Sequence, residues 1–238
     1  MVVTVLSGSP KVFALLLFTT VNVVFAEDPL ELQQGDQPDH LEPVPLRSGE
    51  YSRMIEERLL VTTGDYGRMI LLPSFEGETA ISIYGSDFTE EYPKQPRTFH
   101  ITVTKADKSL YLTLPRGHHK DPGPRPKIIR LDVKIDRDFA VAIQRAWATM
   151  LLNTRYPLKS YAGLDGFTAQ FSVFVRGAGV LHGQIWSPNH GLPKEFVEIG
   201  RQLIDYCSTS EKERPAKRAR VMERLEEFTR EAAKASTG

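Results

Sequence analysis

The chain has 238 residues, and its 30 basic and 30 acidic side chains leave no net charge. This balance gives no electrostatic reason to expect nucleic acid or an anionic membrane as a partner, because both are bound through an excess of positive charge. A single cysteine, Cys207, excludes an intramolecular disulfide, so the fold must rely on a hydrophobic core.

The first 26 residues have the pattern of a secretory signal peptide. Lys11 precedes the apolar run Val12 to Phe18, and the segment ends in Val24-Phe25-Ala26 before Glu27. A basic start, an apolar centre and small residues at the end are typical of a cleaved signal. An uncleaved anchor or an internal helix is the alternative, but the run is short for a membrane span. We therefore expect cleavage after Ala26, export to the periplasm or the exterior, and no membrane span in the mature chain.

Residues 27–49 follow the signal and contain four prolines with few apolar residues. This composition predicts a flexible, proline-rich leader. The folded domain is expected at 50–207, beginning with a short helix at 50–60. Residues 208–238 are rich in charge and are predicted to form a charged helical tail.

Two short runs rich in β-forming residues, followed by runs of alternating apolar and polar residues, predict β-strands through the first half of the domain. The runs are 68–72, 79–84, 98–104, 110–114 and 129–135. A period of two places one set of side chains on each face, which favours half-buried antiparallel strands. The loop before the last run contains His118, His119 and Asp121, but their spacing matches no structural zinc pattern. We therefore expect no bound metal.

Helical spacing of apolar residues follows, and either Asp136 or Asp138 is a suitable N-cap for a helix that runs through Leu152. Two further strands at 167–175 and 180–186 are joined by a turn, and a second amphipathic helix is expected at 193–207. The sequence thus predicts an α+β domain with an antiparallel sheet of about five to seven strands packed by two amphipathic helices, plus a C-terminal charged helix.

A spaced pattern in the last third of the domain stands out. It consists of Leu164-Asp165-Gly166, Phe171-Ser172, and Gly183 followed by Trp186-Ser187-Pro188 and Gly191. This pattern, L-D-G, F-S and G-x-x-W-S-P-x-x-G, resembles a stretch found in a family of uncharacterised exported bacterial proteins. The resemblance implies an exported bacterial protein and carries no known activity.

The same stretch supplies the candidate site residues. If its two strands pair through the intervening turn, the residues before the first strand and after the second emerge at one end of the sheet. The candidate binding patch consists of Asp165, His182, Trp186, Ser187 and His190. One interpretation is a shallow site with acid–base chemistry. The other is that these residues form turns and pack in the core, because the same residue types are common turn formers.

No motif establishes a reaction. The sequence lacks a phosphate-binding G-x-x-x-x-G-K-[ST] loop and a G-x-S-x-G elbow, and no cofactor is predicted. The basic run from Lys212 to Arg220 is interpreted as a solvated helix face because many acidic residues follow it. We favour a non-enzymatic exported binding protein for another protein or an envelope component. The alternative is a small hydrolase or lyase using Asp165 with His182 or His190, so the sequence leaves enzymatic activity open.

Overall fold

The computed structural model describes residues 38–45, 49–60, 66–90, 96–114, 125–157 and 165–235. The predicted signal peptide at 1–26, the first part of the leader, and His118, His119 and Asp121 lie outside the described residues. Among the helices that are described, none is both long and apolar enough to cross a membrane.

Six antiparallel strands form one sheet with the order β4-β3-β2-β1-β5-β6. The strands are β1 (Gly67–Pro73), β2 (Thr79–Phe88), β3 (Pro96–Ala106), β4 (Ile128–Ile135), β5 (Phe167–Val175) and β6 (Gly179–Trp186). The first four follow one another as a meander. β5 then pairs with the other side of β1, and β6 completes that edge.

Helices cover the two faces of the sheet unequally. Helices α2 (Arg137–Leu151) and α3 (Gly191–Ser208) pack on the inner face, and α4 (Arg214–Ala235) packs on both of them. Helix α1 (Glu50–Leu59) packs on the outer face, where Ile55 and Leu59 join Ile70 and Ala80 in a small apolar cluster. The inner-face residues of the main core include Met69, Ile81, Ile83, Ile101, Val103, Phe171 and Ile185.

Aromatic rings join the inner layers. The buried Trp147 of α2 lies 6.1 Å, centroid to centroid, from Phe171 of β5 and 4.6 Å from Phe196 of α3. The ring of Phe196 is stacked between Phe171 and Phe228 of α4, at 4.2 and 5.3 Å. A continuous aromatic column therefore runs from the sheet to the outermost helix.

Helix α2 is capped by Asp136, one of the two residues that the sequence suggests for this role. The Asp136 carboxylate accepts a hydrogen bond from the backbone N–H of Phe139 at 2.9 Å, which satisfies one of the unpaired donors of the first helical turn. The same carboxylate accepts two hydrogen bonds of 2.7 Å from the Arg218 guanidinium of α4. One side chain thus starts one helix and anchors another.

The basic run before and within α4 has a structural role that its composition does not reveal. Lys217 pairs with Asp205 of α3, and Arg218 pairs with Asp136. On the side of α4 that faces α2 and α3, Val221, Leu225 and Phe228 are almost completely buried. Part of the run interpreted as a solvated face therefore attaches the C-terminal helix to the domain.

The structure confirms the predicted α+β class, the antiparallel sheet, the two packed helices and the C-terminal helix. The strand expected at 110–114 is wrong, because the chain forms a short 3-10 helix there, Tyr111–Thr113. The buried Glu78 carboxylate accepts hydrogen bonds from the backbone N–H groups of Leu110 and Tyr111, at 2.7 and 3.2 Å. Pairing both donors with one side chain turns the backbone away from an extended path.

Part of the predicted leader packs on the domain, and the single cysteine is buried. Within the predicted leader, Leu41 is fully buried in the main core, and Glu42 pairs with Gln184 on β6 through backbone hydrogen bonds of 2.8 and 2.7 Å. Cys207 is 4% exposed and belongs to the main core. Burial raises the pKa of its thiol to about 12, so the thiolate needed for reactivity is scarce at neutral pH.

Candidate functional site

The Asp165-Gly166 turn lies against the end of β6. The Ser187 hydroxyl accepts a hydrogen bond from the Phe167 N–H at 2.8 Å and donates to the Phe167 carbonyl at 3.2 Å. A Cβ atom on Gly166 would lie 2.2 Å from the Ser187 oxygen and 2.8 Å from the Trp186 ring. Asp165, Trp186 and Ser187 therefore gather at one end of the sheet, where the serine hydroxyl holds two strand ends together.

The two histidines of the predicted patch lie in different places. His190 is exposed at the residue before α3. His182 lies opposite Ser172 in the middle of β6, and Ser172 is about 17 Å along β5 from Phe167 at the rise of an extended strand. The structure thus separates His182 from Asp165, and no hydrogen bond among the described residues joins Asp165 to His190. Burial lowers the pKa of His182, and the nearby Arg68 cation lowers it further.

An open cavity of about 550 Å³ lies beside the Gly166 turn. Its apolar lining comes from β1, the β1–β2 connection, β5 and α3, and its cations are Lys105 and Arg201. A second open cavity, of about 590 Å³, lies on the other side of the β1–β2 connection and includes Leu112 in its lining. Phe75 and Lys105 line both cavities.

Phe75 stands between these cavities with 70% of its surface exposed. We call the surface formed by Phe75, Lys105, Leu112, Phe167 and Ile204 the Phe75 patch. The Arg201 guanidinium lies over the Phe167 ring, 4.8 Å from its centroid, and pairs with Glu198 at 2.7 Å. The patch therefore combines an exposed aromatic side chain, largely apolar hollows on both sides, and charged side chains of both signs, Lys105, Arg201 and Glu76, at its edge.

A second polar group, which the sequence analysis missed, lies on the outer face of the sheet. His100 of β3 is hydrogen-bonded through Nδ1 to Asp132 Oδ2 of β4 at 2.9 Å, and through Nε2 to Ser86 Oγ of β2 at 3.2 Å. The Thr102 hydroxyl donates to the other Asp132 oxygen. The Tyr84 ring stacks on the His100 imidazole, with centroids 5.2 Å apart. We call Ser86, His100 and Asp132 the outer-face triad.

Only the strand register, which shows the residues that lie side by side on neighbouring strands, could have predicted this triad. His100 pairs with Tyr84 on one side and with Lys134 on the other, so residues of even number on these strands share the outer face. The strand predicted at 79–84 stops before Ser86, whereas β2 continues to Phe88. Sequence reasoning therefore left the serine outside the sheet and its partners unassigned.

Metal-ligating side chains do not cluster in the described part of the chain: no group of three or more His, Cys, Asp or Glu is arranged to hold an ion there.

Comparisons with protein-family models, curated proteins and solved structures find no match to this chain.

Proposed function

We propose that this chain is an exported protein that binds a protein partner through the Phe75 patch. The observation that carries the proposal is the 70% exposure of Phe75 between two open cavities. Aromatic side chains, Phe included, are enriched at protein interfaces relative to the rest of the protein surface. Burying Phe75 against a partner removes apolar surface from water, which favours association.

The chemistry of the patch indicates what the partner presents. Phe167 and Ile204 offer contacts for an apolar side chain on one side of Phe75, and Leu112 offers them on the other. Glu76 and Lys105 line both hollows, but Arg201 adds a second cation on the Phe167 side, which would attract a carboxylate there. A small ligand needs a site that encloses most of its surface, whereas Phe75 projects from this one. We therefore favour a polypeptide that carries apolar side chains next to an acidic group.

Export rests on the signal pattern of residues 1–26 and on the resemblance to exported bacterial proteins. We expect the native host to yield a mature chain that begins at Glu27, found in the periplasmic fraction or the medium. Intact mass measurement of the fractionated protein tests this. A full-length chain recovered only from the cytosol would contradict export.

Site-specific photo-crosslinking tests the binding proposal. Benzoylphenylalanine replaces Phe75 in the full-length protein expressed in its native host, and Phe174 is replaced in a matched control because it is an outer-face phenylalanine that is 45% exposed. We expect one discrete protein adduct from position 75 and none of that mass from position 174.

Charge reversal supplies the second arm of this experiment. Lys105→Glu, introduced together with the crosslinker at 75, should reduce the adduct at least several-fold, whereas Lys134→Glu on the edge strand should leave it unchanged. An adduct that forms equally at 75 and 174, or no protein adduct at 75, would refute the proposal. A lipid or glycan adduct at 75 would indicate an envelope component instead.

A further inference from the structure

We propose that the outer-face triad is a nucleophilic site that hydrolyses carboxylic esters, with Ser86 as nucleophile, His100 as general base and Asp132 as the residue that positions His100. This activity is independent of partner binding. The triad lies on the opposite face of β3 from Lys105 and five residues along that strand, about 17 Å at the rise of an extended chain. An experiment can therefore refute the esterase proposal without refuting the binding proposal, and the reverse is also true.

The hydrogen bonds run in the order that nucleophilic catalysis requires. Asp132 accepts the Nδ1 proton of His100 at 2.9 Å, which leaves the lone pair of Nε2 directed at the Ser86 hydroxyl, 3.2 Å away. A carboxylate that fixes the imidazole tautomer, and an imidazole within reach of an alcohol, are the two contacts that identify a catalytic triad by geometry.

The imidazole and carboxylate are held by packing from the sheet. The side chain of His100 is 20% exposed and is stacked on Tyr84. Thr102 is 3% exposed, and its hydroxyl donates to the second oxygen of Asp132. Such contacts restrict the rotamers of the acid and base, so their alignment does not depend on substrate. Ser86 itself is half-buried near the end of β2, where a substrate can reach it.

The backbone after Ser86 is also unusual. Asp87 adopts a left-handed conformation with φ 51°, which is uncommon for a residue other than glycine. Its carboxylate lies 3.5 Å from the Ser86 hydroxyl, at the limit of a hydrogen bond. The shorter and better-supported contact of Ser86 is therefore with His100.

The reaction balances with water as the only co-reactant. Ser86 Oγ bonds to the carbonyl carbon of the ester while its proton passes to Nε2 of His100. The bond from that carbon to the alcohol oxygen then breaks, and the alcohol leaves with the proton. Water attacks the acyl-serine with His100 again accepting a proton, and release of the carboxylic acid returns that proton to Ser86.

The neighbourhood of Ser86 favours esters with an apolar acyl group. Phe88 follows Ser86 by two residues, after the left-handed Asp87, and is 51% exposed. Tyr84 is two residues in the other direction and supplies a second ring. An apolar acyl chain lying along β2 would contact these rings while its carbonyl carbon is at the serine.

A fluorophosphonate probe tests the nucleophile without knowledge of the natural substrate, because it forms a stable bond only with an activated serine. We expect one probe per chain, mapped by peptide mass to Ser86. Ser86→Ala should abolish labelling, and His100→Gln should slow it by about 100-fold, the low end of the contribution of a general base. Ser208→Ala, which alters an exposed serine on α3, is the matched control and should label normally.

Hydrolysis of p-nitrophenyl butyrate tests the positioning role of Asp132. Asp132→Asn should lower kcat at least 10-fold with little change in KM, because the substrate does not contact this residue. Glu226→Gln, which alters an exposed carboxylate on α4, should keep wild-type kcat. Thermal melting of each variant establishes that it is folded. If folded wild-type protein labels no serine or a different one, or if labelling does not depend on His100, the proposal is wrong.

Discussion

Gly166 shows how a single residue determines the end of the sheet that carries the Phe75 patch. Its φ of 156° lies in a region that favours glycine, and any Cβ would clash with Ser187 and Trp186. Its carbonyl also accepts hydrogen bonds from the backbone N–H and hydroxyl of Ser74. The turn, the β1 end and the β6 end are therefore fixed together.

We predict that Gly166→Ala lowers the free energy of unfolding by about 1–3 kcal/mol, through backbone strain and the clash with Ser187. Urea denaturation at neutral pH measures this change. Gly49→Ala is the control, because an added Cβ meets nothing within 4 Å there. Equal stabilities of the two variants would mean that the turn adjusts without cost.

Neither proposed site was predicted from the sequence. The predicted patch placed Asp165, Trp186 and Ser187 together because they flank one hairpin, but Phe75, Lys105 and Leu112 lie far from that hairpin in the sequence. Ser86, His100 and Asp132 come from three strands, and only the register of β2, β3 and β4 brings them together. Nothing local distinguishes such residues from ordinary polar positions on a strand.

At the scale of elements, the junction between α2 and α4 depends on Asp136. Hydrogen bonds from Arg218 hold the pKa of Asp136 below its ordinary value of 3.8, with a further contribution from the Phe139 N–H, while burial opposes the shift. Because the pKa of Asp136 is lower in the folded protein, its carboxylate becomes protonated at a higher pH in the unfolded chain than in the folded one. The stabilisation is therefore present above pH 3.8 and is lost as the pH falls through the folded-state pKa.

We predict that Asp136→Ala lowers the free energy of unfolding at pH 7 by about 1–2 kcal/mol, because it removes the helix cap and the ion pair. Asp136→Asn keeps a capping oxygen and should cost less. Its difference from the wild type should shrink as the pH is lowered below 3.8, measured by denaturant titration at several pH values. A pH-independent difference would show that the charge contributes nothing.

Most strands and helices could be predicted from the spacing of apolar residues, because each of them presents one apolar face to the core. The exception at 110–114 has an alternating pattern, yet two of its backbone donors are bound by Glu78, which is 32 residues from Leu110. A contact between distant residues overrode the local pattern. The burial of Leu41 was missed for a similar reason, since one apolar side chain in a polar segment gives no period.

At the scale of the molecule, α4 forms a third layer instead of a free tail. Phe228 is fully buried and stacks on Phe196. We predict that Phe228→Ala lowers the free energy of unfolding by about 3–5 kcal/mol, as expected for deletion of a buried ring. Glu226→Ala, at an exposed position of the same helix, should change stability by less than about 0.5 kcal/mol. Chemical denaturation followed by circular dichroism measures both. A small effect of Phe228→Ala would mean that α4 is dispensable for the fold.

The positions of the two tryptophans give the protein separate optical reporters. Trp147 is fully buried in the aromatic column, so its fluorescence should be blue-shifted and insensitive to aqueous quenchers until the layers separate. Trp186 is only half-buried and lies against Gly166, which lines the cavity beside Phe75. Acrylamide should therefore quench Trp186 first, and a change in the Gly166 turn should alter this quenching while the Trp147 signal stays constant.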